Sequence, residues 1–236
     1  MAIKIISTKD QQHSGCKVLV YGDAGVGKTV LCATAPDPII ISAESGLLSL
    51  AKVDIPAVEV NNMQDVIDVY NWATTSKEAD KYQTLCLDSI TEIAEVMLSQ
   101  YKKEEKDPRA AYGRLADDMS SMIRGFRDIR GKHVYFSAKE IKLTDDIGVN
   151  SYVPSMPGKQ LLNGLPFFFD EVFPLLIGRL EDKTVFRYLQ THGDVRRVGK
   201  DRSGNLAKEE EPNLAKLFDK CMGITPKPDK KGVKKK

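Results

Sequence analysis

The sequence has no apolar run approaching the roughly 18 residues that a membrane helix needs, and its opening "MAIKIIS" is too short for the apolar core of a signal peptide. Both absences predict a soluble, cytoplasmic protein. Cysteine is scarce as well. Cys16, Cys32, Cys86 and Cys221 lie far apart, three of them in apolar segments, which leaves neither a pair of metal ligands nor a disulfide framework. Reduced and mostly buried thiols are expected. No internal repeat is visible, and net charge is nearly absent at +2.

That small charge hides an asymmetry. The last eleven residues, "PKPDKKGVKKK", hold six lysines and one aspartate and so carry +5, which leaves residues 1–225 at −3. The 236 residues are 42% hydrophobic and 29% charged, enough to bury a substantial core, and the length suits one domain. The division expected is an N-terminal segment, 1–14, whose alternating apolar residues could form an assembly strand. A core over 15–224 follows, then a tail, 225–236, too charged to pack.

Within the first 140 residues, short apolar runs alternate with helical periodicity, the pattern of a parallel sheet with crossover helices. Strands are predicted at Lys17 to Tyr21, Pro38 to Ser42, Ala57 to Val60, Thr84 to Leu87 and His133 to Ser137. Ile90, Ile93, Met97, Leu98 and Tyr101 share one helical face, and Leu115, Met119, Met122, Ile123, Phe126 and Ile129 another. Beyond residue 140 a long polar, glycine-bearing stretch reads as a loop or ribbon. It precedes an antiparallel hairpin, Glu171 to Ile177 and Thr184 to Thr191, and a final helix, Asn213 to Cys221. The fold class expected is α/β, a mostly parallel twisted sheet flanked by helices with a C-terminal antiparallel hairpin.

Chemistry is concentrated in "YGDAGVGKTV". Gly22, Gly25, Gly27, Lys28 and Thr29 fit G-x-x-x-x-G-K-[ST], between an apolar strand and a helical segment, Val30 to Ala35. Glycines let the backbone N–H groups of Gly22, Asp23, Ala24, Gly25, Val26, Gly27, Lys28, Thr29 and Val30 turn toward nucleotide phosphates. A helix N-terminus adds positive potential there. Lys28 would neutralise the β- and γ-phosphates and Thr29 would offer its hydroxyl to Mg²⁺. A second acid should end a neighbouring strand, and "TLCLDSIT" supplies Asp88, placed to hold a Mg²⁺-bound water, with Ser89 capping the next helix. For hydrolysis, "PIIISAESG" presents Glu44, which would face the γ-phosphate if its strand adjoins that of Asp88. Otherwise Glu44 caps the helix that follows.

This order of strand, cradle, helix, a strand ending in Ala-Glu, and an apolar strand ending in Asp-Ser resembles the ATPase core of RecA-like recombinases. With "RAAYGRLADDM", "FSAKE", "MPGKQ" and "KDRSGNL" the chain is similar to the phage-encoded RecA-like Sak-type single-strand annealing proteins, related to the AAA_24 family, over roughly residues 15 to 220. The resemblance implies a RecA-like P-loop NTPase, with ATP and Mg²⁺ as cofactors, that binds single-stranded DNA and promotes annealing or strand exchange in phage recombination. It also implies a host cytoplasmic setting, a ring or filament, and a single-strand DNA-binding protein as a possible partner. Glu44 would activate water, and Ser137 with Lys139 would occupy the γ-phosphate sensor position. "GKDRSGNL" is similar to the K-N-R-F-G motif of the RadA repair protein, in which basic residues reach a neighbour's ATP. Lys200 and Arg202 would be such fingers, with Asp201 and Ser203 standing where that motif has Asn and Phe; a charged turn is the structural alternative.

By the same resemblance, DNA would meet loops leaving the fourth and fifth strands, with Lys142, Asn150, Tyr152 and Lys159 as candidates. "YKKEEKDPRAAYGR" offers Lys102, Lys103, Arg109, Tyr112 and Arg114, interrupted by three acids. The lysine tail would add salt-dependent attraction to any polyanion. Two other readings stay open. One is a RecA-fold ATPase acting on protein partners. The other is a small-molecule kinase whose closing lid would have to come from Arg124, Arg127 and Arg130.

Overall fold

In the computed structural model, which describes residues 15–44 and 47–224, alternating apolar positions become the rungs of a ten-stranded sheet. The candidate assembly strand in 1–14 and the lysine tail lie outside the described residues. The parallel part comprises β1 (Lys17–Gly22), β2 (Pro38–Ser42), β3 (Ala57–Glu59), β4 (Thr84–Asp88), β5 (His133–Thr144) and β7 (Glu171–Arg179). Its order across the sheet is β7-β1-β5-β4-β2-β3. β6 (Asn150–Pro154) pairs antiparallel with β5. Beside β7 lie antiparallel β8 (Val185–Gln190) and β9 (Lys200–Asp201), and β10 (Glu209–Glu210) closes the edge on β8.

The central strands are buried on both faces, as a parallel sheet under helices requires. Leu19, Tyr21, Ile39, Ile41, Leu85, Leu87, Val134 and Phe136 point into one core, with α2 (Met63–Thr75), α3 (Ile90–Glu104) and α4 (Pro108–Arg127) packed over it. Val18, Val20, Ile40, Cys86 and Tyr135 point the other way, toward α1 (Lys28–Leu31) and α6 (Leu214–Cys221). Side chains set the helix starts: Asn62, Ser89, Asp107 and Asn213 each accept a backbone N–H at the head of α2, α3, α4 and α6. Cys16, Cys32 and Cys86 are buried and unbridged, as expected.

Two departures from the sequence reading have physical causes, and the alternative of a loop or a ribbon after residue 140 resolves to a ribbon. The helix expected over Val30 to Ala35 is instead one turn, Lys28–Leu31, followed by a 3₁₀ turn, Cys32–Thr34. Pro36 forces Ala35 into an extended conformation (ψ 153°) and ends it. α2 went unread because it buries only Val66, Val69 and Ala73, too few for a strong stripe. The polar stretch after residue 140 is a ribbon: β5 runs on to Thr144 and turns back into β6, with Asp145 accepting from the amides of Ile147 and Val149 at 3.0 and 2.8 Å. α5 (Lys159–Gly164) follows it.

At the sheet edge where β1 begins, Glu171 is buried, its Oε1 accepting the Ser203 amide at 3.1 Å. Burial, reinforced by the nearby Asp201 carboxylate, pushes its pKa up to about 8. A carboxyl raised in the fold stabilises fully below its unfolded pKa, and that stability is lost as pH rises toward 8. Glu171→Gln keeps the acceptor but cannot ionise. Urea unfolding should therefore show the variant gaining on wild type between pH 5 and pH 8; a difference constant with pH would refute the assignment.

Candidate active site

The C-terminal ends of β1, β4 and β2 and the middle of β5 meet along one edge of the sheet and open into a cleft of about 470 Å³. Gly22, Asp23, Ala24, Gly25, Gly27, Lys28, Thr29 and Val30 form one wall, and Glu44, Asp88, Ser89, Lys139 and Glu140 the other. The cradle's geometry explains its glycines. Gly27 has φ +112°, a region open to glycine alone at low cost. A Cβ on Gly22 would lie 2.8 Å from the Leu175 carbonyl of β7. Val26 is buried and pins the loop to the core, while Tyr135 on β5 donates its hydroxyl to the Lys28 carbonyl at 2.9 Å.

Lys28 Nζ folds across its own loop, donating to the carbonyls of Gly22 and Asp23 at 2.8 and 2.9 Å. Burial lowers its pKa, and Asp88, Glu44, Asp23 and Glu140 oppose that shift. The ammonium thus lines the same cleft as these carboxylates, the space a polyphosphate would fill. Because α1 is a single turn, loop N–H groups and Lys28 dominate the cradle.

On the opposite wall, the condition that the sequence left open is met. β2 adjoins β4, and Ser42 is paired with Asp88. Ser89 caps α3 and also donates its hydroxyl to Glu44 Oε1 at 3.1 Å, which turns the Glu44 carboxylate toward the Asp88 strand. Asp88 is buried, and Ser137 Oγ donates to its Oδ1, leaving Oδ2 for another partner. Ser137 therefore bears on the cleft from behind, by orienting Asp88. Lys139 lines the cleft, but its Nζ is paired with Glu92 at 2.5 Å and Glu95 at 2.8 Å. The donor set fits Mg²⁺: Asp88 and Thr29 present hard oxygens in one cleft beside Lys28, and Mg²⁺ keeps most of its waters and takes only one or two protein ligands.

Sequence reasoning missed one residue of this wall and one that meets it from behind. Glu140 follows Lys139 at the end of the same strand segment and lines the cleft; its place after "FSAK" was the available signal. Arg197, from the distant segment after β8, brings its Nε to 3.6 Å from Glu140 Oε2 and lays its guanidinium 4.4 Å over the Tyr152 ring. Nothing local in the sequence marks it.

The remaining predicted residues fall elsewhere. Lys200 and Arg202 sit by β9, against the start of β7 and hence beside the start of β1. Lys200 is level with Leu19, about 10 Å of strand below Gly22 and two strands to the side, and Arg202 lies farther still from the cradle. Lys200 Nζ donates to the carbonyls of Phe169 and Pro166 at 2.6 and 3.3 Å, whereas Arg202 is exposed and pairs with Asp170 at 2.6 Å. Lys142 faces Tyr152 across the β5-β6 ribbon. Arg109 and Tyr112 open α4, and Tyr112 packs against Gly158, next to Lys159. Arg114 is engaged by Glu104 at 2.6 Å and by the Tyr101 ring. The three candidate lid arginines do not approach the cradle: Arg124 lies over Phe168, and Arg127 and Arg130 line a hollow with Lys17 and Asp170 at the other end of β1.

Since Lys28 bonds only its own loop, Lys28→Ala should abolish nucleotide binding and turnover while the thermal midpoint moves by no more than about 2 °C. Wild-type turnover in that variant would overturn the site.

A protein-family model described as an AAA domain, AAA_24, matches residues 14–203. No protein of curated function matches the chain. Among solved structures, a KaiC-like protein from the hyperthermophilic archaeon Pyrococcus horikoshii is similar, at 16% identity over 75% of this chain and 77% of that one, with a TM-score of 0.39. The family match takes in the cradle, Glu44 and Asp88 and spans well over half of the sequence: the chain belongs to the AAA_24 family of AAA domains and is an α/β P-loop NTPase.

Proposed function

We propose that this NTPase hydrolyses ATP with Mg²⁺ and acts as an oligomer on single-stranded DNA, in annealing or strand exchange during phage recombination. The observation that carries the hydrolytic part is the Ser89 bridge. One hydroxyl ties Glu44 to the head of α3, next to Asp88, in the cleft that holds Lys28 and Thr29. Bound Mg²⁺ would neutralise developing phosphate charge, held through Thr29 and a water on Asp88. Lys28 binds the β- and γ-phosphates, Ser137 fixes Asp88, and Glu44 takes the proton from the attacking water.

The oligomeric part is supported by where Lys200 and Arg202 sit. They are too far from their own cradle to serve it, so a catalytic role requires a neighbouring copy. DNA contact is supported by the sequence resemblance, by Lys142 on the ribbon, and by Arg109, Tyr112 and Lys159 gathered where α4 meets the start of α5. A protein partner is the second reading, favoured by the ribbon's exposed Ile147 and Val149.

Glu44→Gln should bind ATP normally and lose hydrolysis by a factor on the order of 10² to 10⁴, the range for a general base. Wild-type ATPase assayed across protein concentration should rise in specific activity on assembly and rise again with single-stranded DNA. Constant specific activity would remove the Lys200 and Arg202 roles. Indifference to DNA would move the assignment to a protein partner, and phosphate transfer to a nucleoside monophosphate would make it a kinase.

A further inference from the structure

We propose that Arg187 binds the α- and β-phosphates of the nucleotide within the same subunit, from the flank of the cradle opposite Glu44 and Asp88. The inference rests on the nucleotide reading above and assigns that site a residue outside every motif in the sequence. Arg187 stands on β8, and its Nε donates to the Val26 carbonyl of the cradle loop at 2.8 Å. The same nitrogen lies 3.6 Å, and Cδ 3.7 Å, from the position a Cβ on Gly27 would take. The side chain is exposed, and among the described residues Val26 is its one polar partner. Both terminal nitrogens of the guanidinium are therefore uncommitted at the rim of a loop built to hold phosphate. A planar fork of N–H donors matches phosphate oxygens two at a time.

Strand order decides which phosphates it meets. β8 is two strands from β1 on one side and β4 is two strands away on the other. At about 4.8 Å per strand, Arg187 and Asp88 start about 10 Å to either side of the cradle strand. Asp88 and Thr29 would hold Mg²⁺, which would supply positive charge beside the transferred phosphoryl group, so the γ end of the polyphosphate would lie near β4. The other end of the chain of phosphates runs toward β8. Arg187 thus meets groups that ATP and ADP share, which separates it from a finger that acts on the transferred phosphoryl group.

The test is calorimetric titration of Mg-ADP and of a non-hydrolysable Mg-ATP analogue into full-length wild type, Arg187→Ala and Arg187→Lys, with steady-state kinetics alongside. Arg187→Ala should weaken both nucleotides by about tenfold, the scale of one charged hydrogen-bonding pair. Arg187→Lys should recover part of that, and the loss in kcat/KM should be carried by KM. Unchanged ADP affinity in Arg187→Ala overturns the inference, whether the ATP analogue is also unchanged or is alone weakened; in the second case the guanidinium acts at the γ-phosphate. A wild-type protein that binds neither nucleotide would instead sink the nucleotide reading itself, and the inference with it.

Discussion

The site depends on one constraint, the parallel register that brings the ends of β1, β4 and β2 to the edge where β5 leaves the parallel sheet for its ribbon. Gly22 is level with Lys139, and Ser42 with Asp88. These strands are packed on both faces, so a slip of one residue would exchange the two cores wholesale. Leu19 and Tyr21 would meet α6, while Val18 and Val20 would meet α3 and α4. The penalty for misregister therefore falls on the core, while the consequence of correct register appears at the strand ends. There Asp88 ends its strand, Glu44 and the cradle follow theirs, and Glu140 opens the ribbon.

Hydroxyls then convert this coarse alignment into aim. Ser89 links the cap of α3 to Glu44, Ser137 links β5 to Asp88, and Tyr135 links β5 to the cradle helix. β5 supplies two of these three, because it lies between the cradle strand and the Asp88 strand and touches both. Charge is arranged in the same way. Lys28 rests on the carbonyls of its own loop in a cleft it shares with carboxylates, and the opposite end of β1 carries Lys17, Lys200 and Arg202. Under the proposed arrangement that end of one subunit would serve the cradle of the next, a head-to-tail contact of the kind that closes rings or extends filaments.

The sequence made legible what is local or periodic. The alternation in Val18 to Tyr21 gave the cradle strand, the glycines gave the loop, and the apolar run before Asp88 gave its strand. The hairpin of β7 and β8 was read as antiparallel, though its first strand also extends the parallel sheet beside β1. Glu44 was legible as a candidate, and only pairing of β2 with β4 could turn it toward the cleft. Illegible were contacts made by chain segments far apart. Arg197 meets Glu140 from 57 positions away, and Arg187 meets Val26 across 161. The opposite failure occurred at Arg114, whose charge suggested availability while Glu104 and Tyr101 occupy it. A motif names the atoms that touch phosphate; the neighbours that aim them are chosen by the fold.

The central claim is that this edge of the sheet directs water at the γ-phosphorus of ATP. Single-turnover hydrolysis in ¹⁸O-enriched water, followed by mass spectrometry of both products, tests that chemistry directly. The account predicts one labelled oxygen in the inorganic phosphate and none in ADP. Label in ADP, or no phosphate released, would contradict it.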